Sequence, residues 1–241
     1  MTTTYRPAFY AASTGTGGIR DWWTLLHPPY TAWHLSYVAI GAALAPGFQL
    51  WRLEGTLVAF FLAVGVAAHA LDELHGRPMR TGIPRTSLVA VAVVGTAVPV
   101  ATGWWYGGLR LLPFIVVGAA IVVLYNLELA GGRAHNSVVF AAGWGAFPVL
   151  TGYYAQDFRL GLPAILAATG AFLLSVAQRE LSTQVRAVRR RAVRVDGRVE
   201  FADGTVLRID RDALLAPAEA ALRALAVGLC CVAVALVAAR L

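Results

Sequence analysis

The 241-residue chain is 58% hydrophobic and only 14% charged, whereas soluble domains carry about a quarter charged residues. Its polar residues are too few to cover the apolar mass, which excludes an ordinary soluble domain and predicts an all-α integral membrane protein. The net charge of +7 comes from twenty arginines and no lysine. These flank apolar runs and crowd into "RAVRRRAVR" (186–194), which marks membrane sidedness rather than a nucleic-acid surface, so no nucleic-acid partner is expected.

Residues 1–29 open with "MTTTYRPAFYAASTGTGGIRDWW" and are polar, without an apolar core near Met1. They read as a flexible cytoplasmic N-terminus with no cleaved signal peptide. Seven charge-poor runs follow, at about 30–50, 55–72, 86–106, 110–128, 137–156, 160–179 and 218–239. Each approaches the roughly 20 residues a helix needs to cross the hydrocarbon. The expected organisation is a six-helix membrane bundle over 30–180, an Arg-rich cytoplasmic segment over 181–217, and a last transmembrane helix over 218–241.

Trp22, Trp23, Trp51, Trp104, Trp105, Tyr106, Tyr153 and Tyr154 fall at run ends, where an aromatic belt sits. Gly41, Gly65, Gly95, Gly118, Gly143, Gly145 and Gly170 recur within the runs, where small residues let helix backbones approach. Alternation puts the N-terminus and the segments 72–85, 128–136 and 179–217 on one side. That side holds Arg6, Arg20, Arg77, Arg80, Arg85, Arg133 and most of the C-terminal cluster, against Arg52, Arg110, Arg159 and Arg240 opposite. The positive-inside rule makes the first side cytoplasmic in a multi-pass protein of the cell membrane.

Between the sixth and seventh runs, "VRVDGRVEF" and "VEFADGTVLRID" alternate apolar and polar residues around Asp-Gly pairs. This predicts a small β-hairpin. "APAEAALRALA" (216–226) then starts the last helix. Cys230 and Cys231 are adjacent and have no third cysteine, which leaves no disulfide framework or thiolate metal site.

Polar residues collect at one end of the runs. In "AHALDELHGRPMRTGIP" (68–84), His69, Asp72 and Glu73 stand at i, i+3 and i+4 and share a helical face, followed by His75, Arg77 and Arg80. The fourth run ends in Tyr125, Asn126, Glu128, Arg133 and His135. The sixth ends in Gln178, Arg179, Glu180, Thr183 and Arg186. Carboxylates suit hard cations such as Mg²⁺ and arginines suit phosphate oxygens, so these ends could share a site for an anionic amphiphile. Glu54, Asp157 and Arg159 fit ordinary helix-end capping. Two further readings stay open: a transition-metal site from His69, Asp72, His75 and His135, or a non-catalytic lipid-binding or transport protein.

Three stretches resemble the UbiA-type intramembrane prenyltransferases. "DWWTLLHPPYTAWHLSYVAIGAALAP" (21–46) is similar to that family's first span, with His27-Pro28 at its Arg-Pro pair. "AHALDELHGRPMRTGIP" is similar to its first Asp-rich loop, and "YNLELAGGRAHNSVVFAAGWGAFPVLTGYYAQ" (125–156) to its fourth-to-fifth-span region. The resemblance implies a helical membrane bundle in which Mg²⁺ and an isoprenyl diphosphate meet a lipophilic acceptor, or the prenyl chain cyclises. By position, Asp72 would bind the cation with help from Glu73, and Glu128 would join it. Tyr125 would stand in the reaction site, and Arg77, Arg80 and Arg133 would contact diphosphate. Glu180, a further candidate ligand of the cation, and Thr183 would fall in the second loop. His69, Asn126, Gln178 and Arg179 complete the candidate substrate contacts. The chain differs from the family pattern in keeping only Asp72 and Glu73 in the first loop and no Asp pair in the second, and in having seven runs rather than nine spans.

Overall fold

The computed structural model describes residues 15–129 and 131–241; Arg6 and the rest of positions 1–14 of the expected tail lie outside the described residues. Eight helices make up most of the described chain. They are α1 (Ile19–Leu25), α2 (Pro28–Leu44), α3 (Leu50–Gly76), α4 (Arg85–Gly107), α5 (Leu112–Asn126), α6 (Ser137–Asp157), α7 (Leu162–Arg191) and α8 (Arg211–Ala238). A two-stranded antiparallel hairpin, β1 (Gly197–Glu200) and β2 (Val206–Ile209), interrupts them between α7 and α8.

Five helices are long and apolar enough to cross a membrane: α3, α4, α6, α7 and α8. Helices α2 and α5 are shorter, at 17 and 15 residues. At about 1.5 Å per residue, α5 spans roughly 22 Å, less than the roughly 30 Å hydrocarbon thickness. The outer faces of α4, α7 and α8 expose Val89, Val93, Leu166, Leu173, Val227 and Val234. A surface this apolar suits lipid.

Prolines and glycines set many of the boundaries. Pro28 and Pro29 open α2, where a proline ring is preorganised for the first turn and no hydrogen bond is lost. Pro84 precedes α4, and Pro163 sits in the first turn of α7. Two expected boundaries move. The N-terminal stretch from residue 15 to 29 is folded rather than flexible: α1 forms, and Asp21 ties it to the loop before α4. The α7 helix runs on to Arg191, about 12 residues past the expected end, and α8 begins at Arg211. There the Asp210 side chain accepts from Ala213 N (2.8 Å) as an N-cap. The extensions of α7 and α8 pack on each other through Leu181, Val185, Val188, Leu215, Ala218 and Leu222. Arg189 Nε donates to Glu219 Oε1 (2.6 Å) across the same seam. The expected hairpin forms, turned by Asp203-Gly204, with Gly204 at φ 83°. The earlier Asp196-Gly197 leads into β1.

At the centre, α2 lies between α6 and α8, with Trp33, Tyr37, Val149, Ala168, Ala171 and Ala226 in one cluster. The α2–α6 crossing is backbone against backbone. A Cβ on Gly41 would overlap the Val149 carbonyl oxygen, and one on Gly152 would overlap that of Val38. Gly95 is as constrained, 2.7 Å from Leu62 O as measured from an ideal Cβ, whereas Gly170 has nothing within 4 Å. A Gly152→Val chain must therefore push two helices apart. Overpacking costs about 1–3 kcal/mol, and a backbone oxygen cannot rotate away, so the loss should reach the top of that range. Thermal unfolding followed by size-exclusion chromatography should show G152V well below the wild type and Gly170→Ala unchanged or slightly higher.

Candidate functional site

The residues after α1, the loops after α3 and α5 and the distal part of α7 meet at one end of the bundle, which carries most of the arginines. Opposite them, Gln49, Arg52, Gln156 and Arg240 close the other end, with Arg240 Nη2 donating to Ala45 O (3.0 Å) and Pro46 O (3.1 Å).

The Arg-rich end is built on two buried carboxylates. Glu73, 0% exposed, accepts from Met79 N (3.0 Å), Thr81 N (2.7 Å) and Thr81 Oγ1 (2.8 Å). Asp21, also 0% exposed, accepts from Gly17 N (2.7 Å), Gly15 N (3.2 Å) and, across 61 residues, Gly82 N (2.8 Å). Arg77 turns back on the same loop, donating to Thr81 O (2.6 Å) and Ile83 O (3.2 Å). Arg77 and Arg80 hold left-handed backbone conformations, at φ 46° and 52°, which non-glycine residues adopt only when surroundings fix them. The structure thus gives Glu73 and Arg77 different work from that expected of them. Both brace the 77–83 loop, and their polar atoms are engaged there rather than presented to a ligand.

Asp72 faces elsewhere. Its half-buried carboxyl lies within electrostatic reach of Glu128 as well as of Glu73. Glu128, at φ 49° just past α5, has His75 Nε2 3.7 Å from one oxygen and His135 Nδ1 3.7 Å from the other. The His135 ring stacks on Tyr125 with centroids 4.5 Å apart. The Tyr125 hydroxyl accepts a short hydrogen bond from Arg179 Nη1, whose Nε donates to Ser137 Oγ (3.2 Å) and whose guanidinium covers Phe140. Helices α3, α5, α6 and α7 therefore bring Asp72, Glu128, Tyr125 and Arg179 into one neighbourhood, as the shared polar ends implied.

The expected face of His69, Asp72 and Glu73 divides among three neighbours. The His69 ring stacks on His27 (4.8 Å), and its Nδ1 bonds Gly65 O (3.1 Å) inside a π-helical stretch, Phe61–Ala68. His27 Nε2 contacts Met79 Sδ (3.2 Å). Burial, followed by neighbouring His69 and Arg186, holds the His27 imidazole well below its ordinary value, so it stands neutral. Asn126 is buried with Nδ2 donating to its own helix at Val122 O (2.7 Å), and Gln178 is buried on α7. Glu180 and Arg133 are exposed, as is Thr183, which accepts from Arg186 Nη2 (3.0 Å); Glu180 forms no ion pair among the described residues. Among these residues no three His, Cys, Asp or Glu side chains gather closely enough to hold one metal ion, which gives the His69, Asp72, His75 and His135 metal set no support.

Asp21 and Ser137 were not singled out in the sequence, and His34 reads there as an interface or packing residue. Asp21 had a readable signal, an acidic residue three positions after Gly18 at a helix start, which reaches back to preceding N–H groups. His34 had none. Its Nδ1 bonds the Trp144 carbonyl (2.7 Å) in a second π-helical stretch, Ala141–Ala146. Such wide turns are frequent at functional sites.

No protein-family model, no curated protein and no solved structure matches the chain. The chemistry must therefore be argued from the geometry. Two carboxylates, two imidazoles, a phenol and a guanidinium stand over the apolar cluster Val64, Ala67, Ala68, Val122 and Trp144, an arrangement that can hold a charged head group above a hydrocarbon interior. Glu73→Gln should separate bracing from ligand binding. A buried carboxylate bonded by three donors contributes roughly 1.5–3 kcal/mol per bond to a charged group, non-additively. E73Q should therefore lower the thermal midpoint and open 77–83 to proteolysis, whereas Asp72→Asn should do neither.

Proposed function

We propose that the protein is a membrane-embedded enzyme of the UbiA-like kind, acting on an isoprenyl diphosphate at the Arg-rich end of a seven-span bundle whose polar loops face the cytoplasm. The observation that carries this reading is the approach of Asp72 on α3 to Glu128 after α5, with Arg179 of α7 on the adjoining Tyr125. Three separate helices bring acid and base to one spot above apolar packing.

Magnesium is usually held by one or two carboxylates, with waters and substrate phosphates completing its shell. Asp72 and Glu128 fit that mode, which needs no group of three protein ligands, and none is gathered among the described residues. A bound Mg²⁺ would supply charge neutralisation for the diphosphate. Arg80, Arg133 and Arg179 would meet phosphate oxygens, and the charge developing on the leaving group is where fixed cations lower the barrier most. The allylic C–O bond breaks, its electron pair leaves on the diphosphate oxygen, and the allylic cation is captured by a lipophilic acceptor or by its own double bond. Capture by an acceptor leaves a proton to be lost from the acceptor, and cyclisation one to be lost beside the new cationic centre. The His75–Glu128–His135 group would take that proton. Since the polar groups collect at one end rather than at mid-depth, they favour interfacial chemistry over a transport path.

Purified protein with Mg²⁺ and labelled geranylgeranyl diphosphate should bind the diphosphate and release it on turnover. Asp72→Asn and Arg179→Gln should each lower turnover about 10²–10³-fold, the usual effect of removing one electrostatic contact to a developing charge, at an unchanged thermal midpoint for D72N. Folded protein that neither binds nor turns over isoprenyl diphosphates of any chain length, with any acceptor, would remove the proposal.

A further inference from the structure

A cavity of about 250 Å³ lies away from the polar cluster, between α3, α4, α5 and α6. It runs from Trp51, Arg52 and Tyr106 at the end opposite the arginine-rich loops to Val64, Val122 and Trp144. The twelve residues from Arg52 to Val64 make it roughly 18 Å long at 1.5 Å per residue. Tyr125 meets Trp144 edge-on (5.9 Å) at the inner end and separates the cavity from the Asp72–Glu128 site.

The walls are apolar in more than composition. The hydroxyls of Thr56, Thr96, Thr102 and Thr151 all donate back to carbonyls of their own helices, at 2.7–2.8 Å, and the Tyr106 hydroxyl donates to Ala155 O (2.9 Å). One lining residue is charged, Arg52. Its guanidinium stands over Trp51 (5.2 Å) and Tyr106 (5.7 Å), and Nη1 makes a short bond to Gln156 O. Its Nε is buried without a partner, and no carboxylate among the described residues pairs with it. Beside it, Gln156 is 0% exposed; its Oε1 accepts from Gln49 N (2.8 Å), but its Nε2 has no partner. The first turn of α3 carries no acidic residue and no side-chain cap, so the positive end of that helix adds to the same corner.

Two buried N–H groups without acceptors, an arginine that forms no ion pair among the described residues and an apolar cavity beside that arginine describe half of an interaction. We infer that the cavity is a binding site for a single-chain amphiphile with an anionic head group, its alkyl chain in the cavity and its carboxylate or phosphate oxygens on Arg52. A guanidinium offers several donors in a fixed fork that matches either head group. The aromatic rings of Trp51 and Tyr106 flank the guanidinium. The site does not depend on the isoprenyl diphosphate reading, since its occupant and its opening both lie away from Asp72.

The test uses the full chain in a neutral maltoside detergent with three probes of equal tail length: hexadecanoate, hexadecyl phosphate and hexadecanol. At least one anionic probe should saturate at one equivalent and bind about tenfold or more tighter than hexadecanol, the margin expected of one charge-assisted contact. Arg52→Gln should bring it to the affinity of the alcohol. Gly118→Leu, which fills the chamber beside Phe147, should weaken all three, with thermal midpoints confirming that both variants fold. A preference for hexadecanoate assigns a fatty acid and one for hexadecyl phosphate a single-chain phosphate ester; either upholds the site. Equal binding of alcohol and anions, an unchanged R52Q, or an unchanged G118L would overturn it. No diphosphate enters the assay, so its result stands whatever becomes of the prenyl chemistry.

Discussion

The Glu73 carboxylate is the contact on which the Arg-rich end depends. In an apolar chain a buried charge persists only when its oxygens are bonded, and Glu73 meets that requirement with two backbone N–H groups and a hydroxyl from one short loop. Successive residues on a helix point roughly 100° apart. Anchoring Glu73 on the 79–81 loop therefore turns Asp72, its neighbour, away from that loop and toward α5, where Glu128 stands. The acid that holds the loop also aims the acid that faces the site. Asp21 repeats the device from the other side of the loop, so that residues 15–17 and 82 close over it as one unit.

The two π-helical stretches make the rest of the arrangement possible. Each lies midway along a long helix, in α3 and in α6, and a wider turn rotates everything beyond it relative to a regular helix. Both give a carbonyl oxygen to an imidazole: Gly65 O to His69, and Trp144 O to His34. His69, a candidate ligand from the sequence, is thus partly the means by which an irregular helix satisfies its backbone, and His34 does the same in α6. Glycines complete the packing, since Gly41 and Gly152 let α2 and α6 meet without side chains between them.

Much of this was legible in the sequence, but unevenly. Runs of apolar residues gave the positions of the long helices, and an Asp-Gly pair gave the hairpin, because hydrophobic period and turn chemistry are local properties. The nearness of Asp72 to Glu128 followed from both lying at helix ends on one side. What the sequence could not give was which acid braces the loop and which is left facing Glu128. Asp72 and Glu73 are adjacent, similar in chemistry and on the same expected face; only the path of the 77–83 loop tells them apart. The length of α7 was hidden for a similar reason. Its arginines read as the end of a membrane span, yet Arg189 finds Glu219 thirty residues on, and the helix continues as far as that seam supports it.

The two ends of the bundle handle charge in opposite ways, and the difference bears on what each can bind. At the Arg-rich end the acids and bases answer one another: Glu128 has two imidazoles, Arg77 has loop carbonyls, and Arg179 has Tyr125 and Ser137. A ligand arriving there must compete with or bridge existing partners, which suits a multiply charged head group able to replace several contacts together. At the other end Arg52 has two rings and one carbonyl, and no ion pair among the described residues. A single negative charge suffices there, because nothing has to be displaced first. Low dielectric makes a guanidinium without an ion pair costly to leave alone, so the helix geometry that holds Arg52 beside an apolar cavity also makes an anionic occupant the least costly way to complete it.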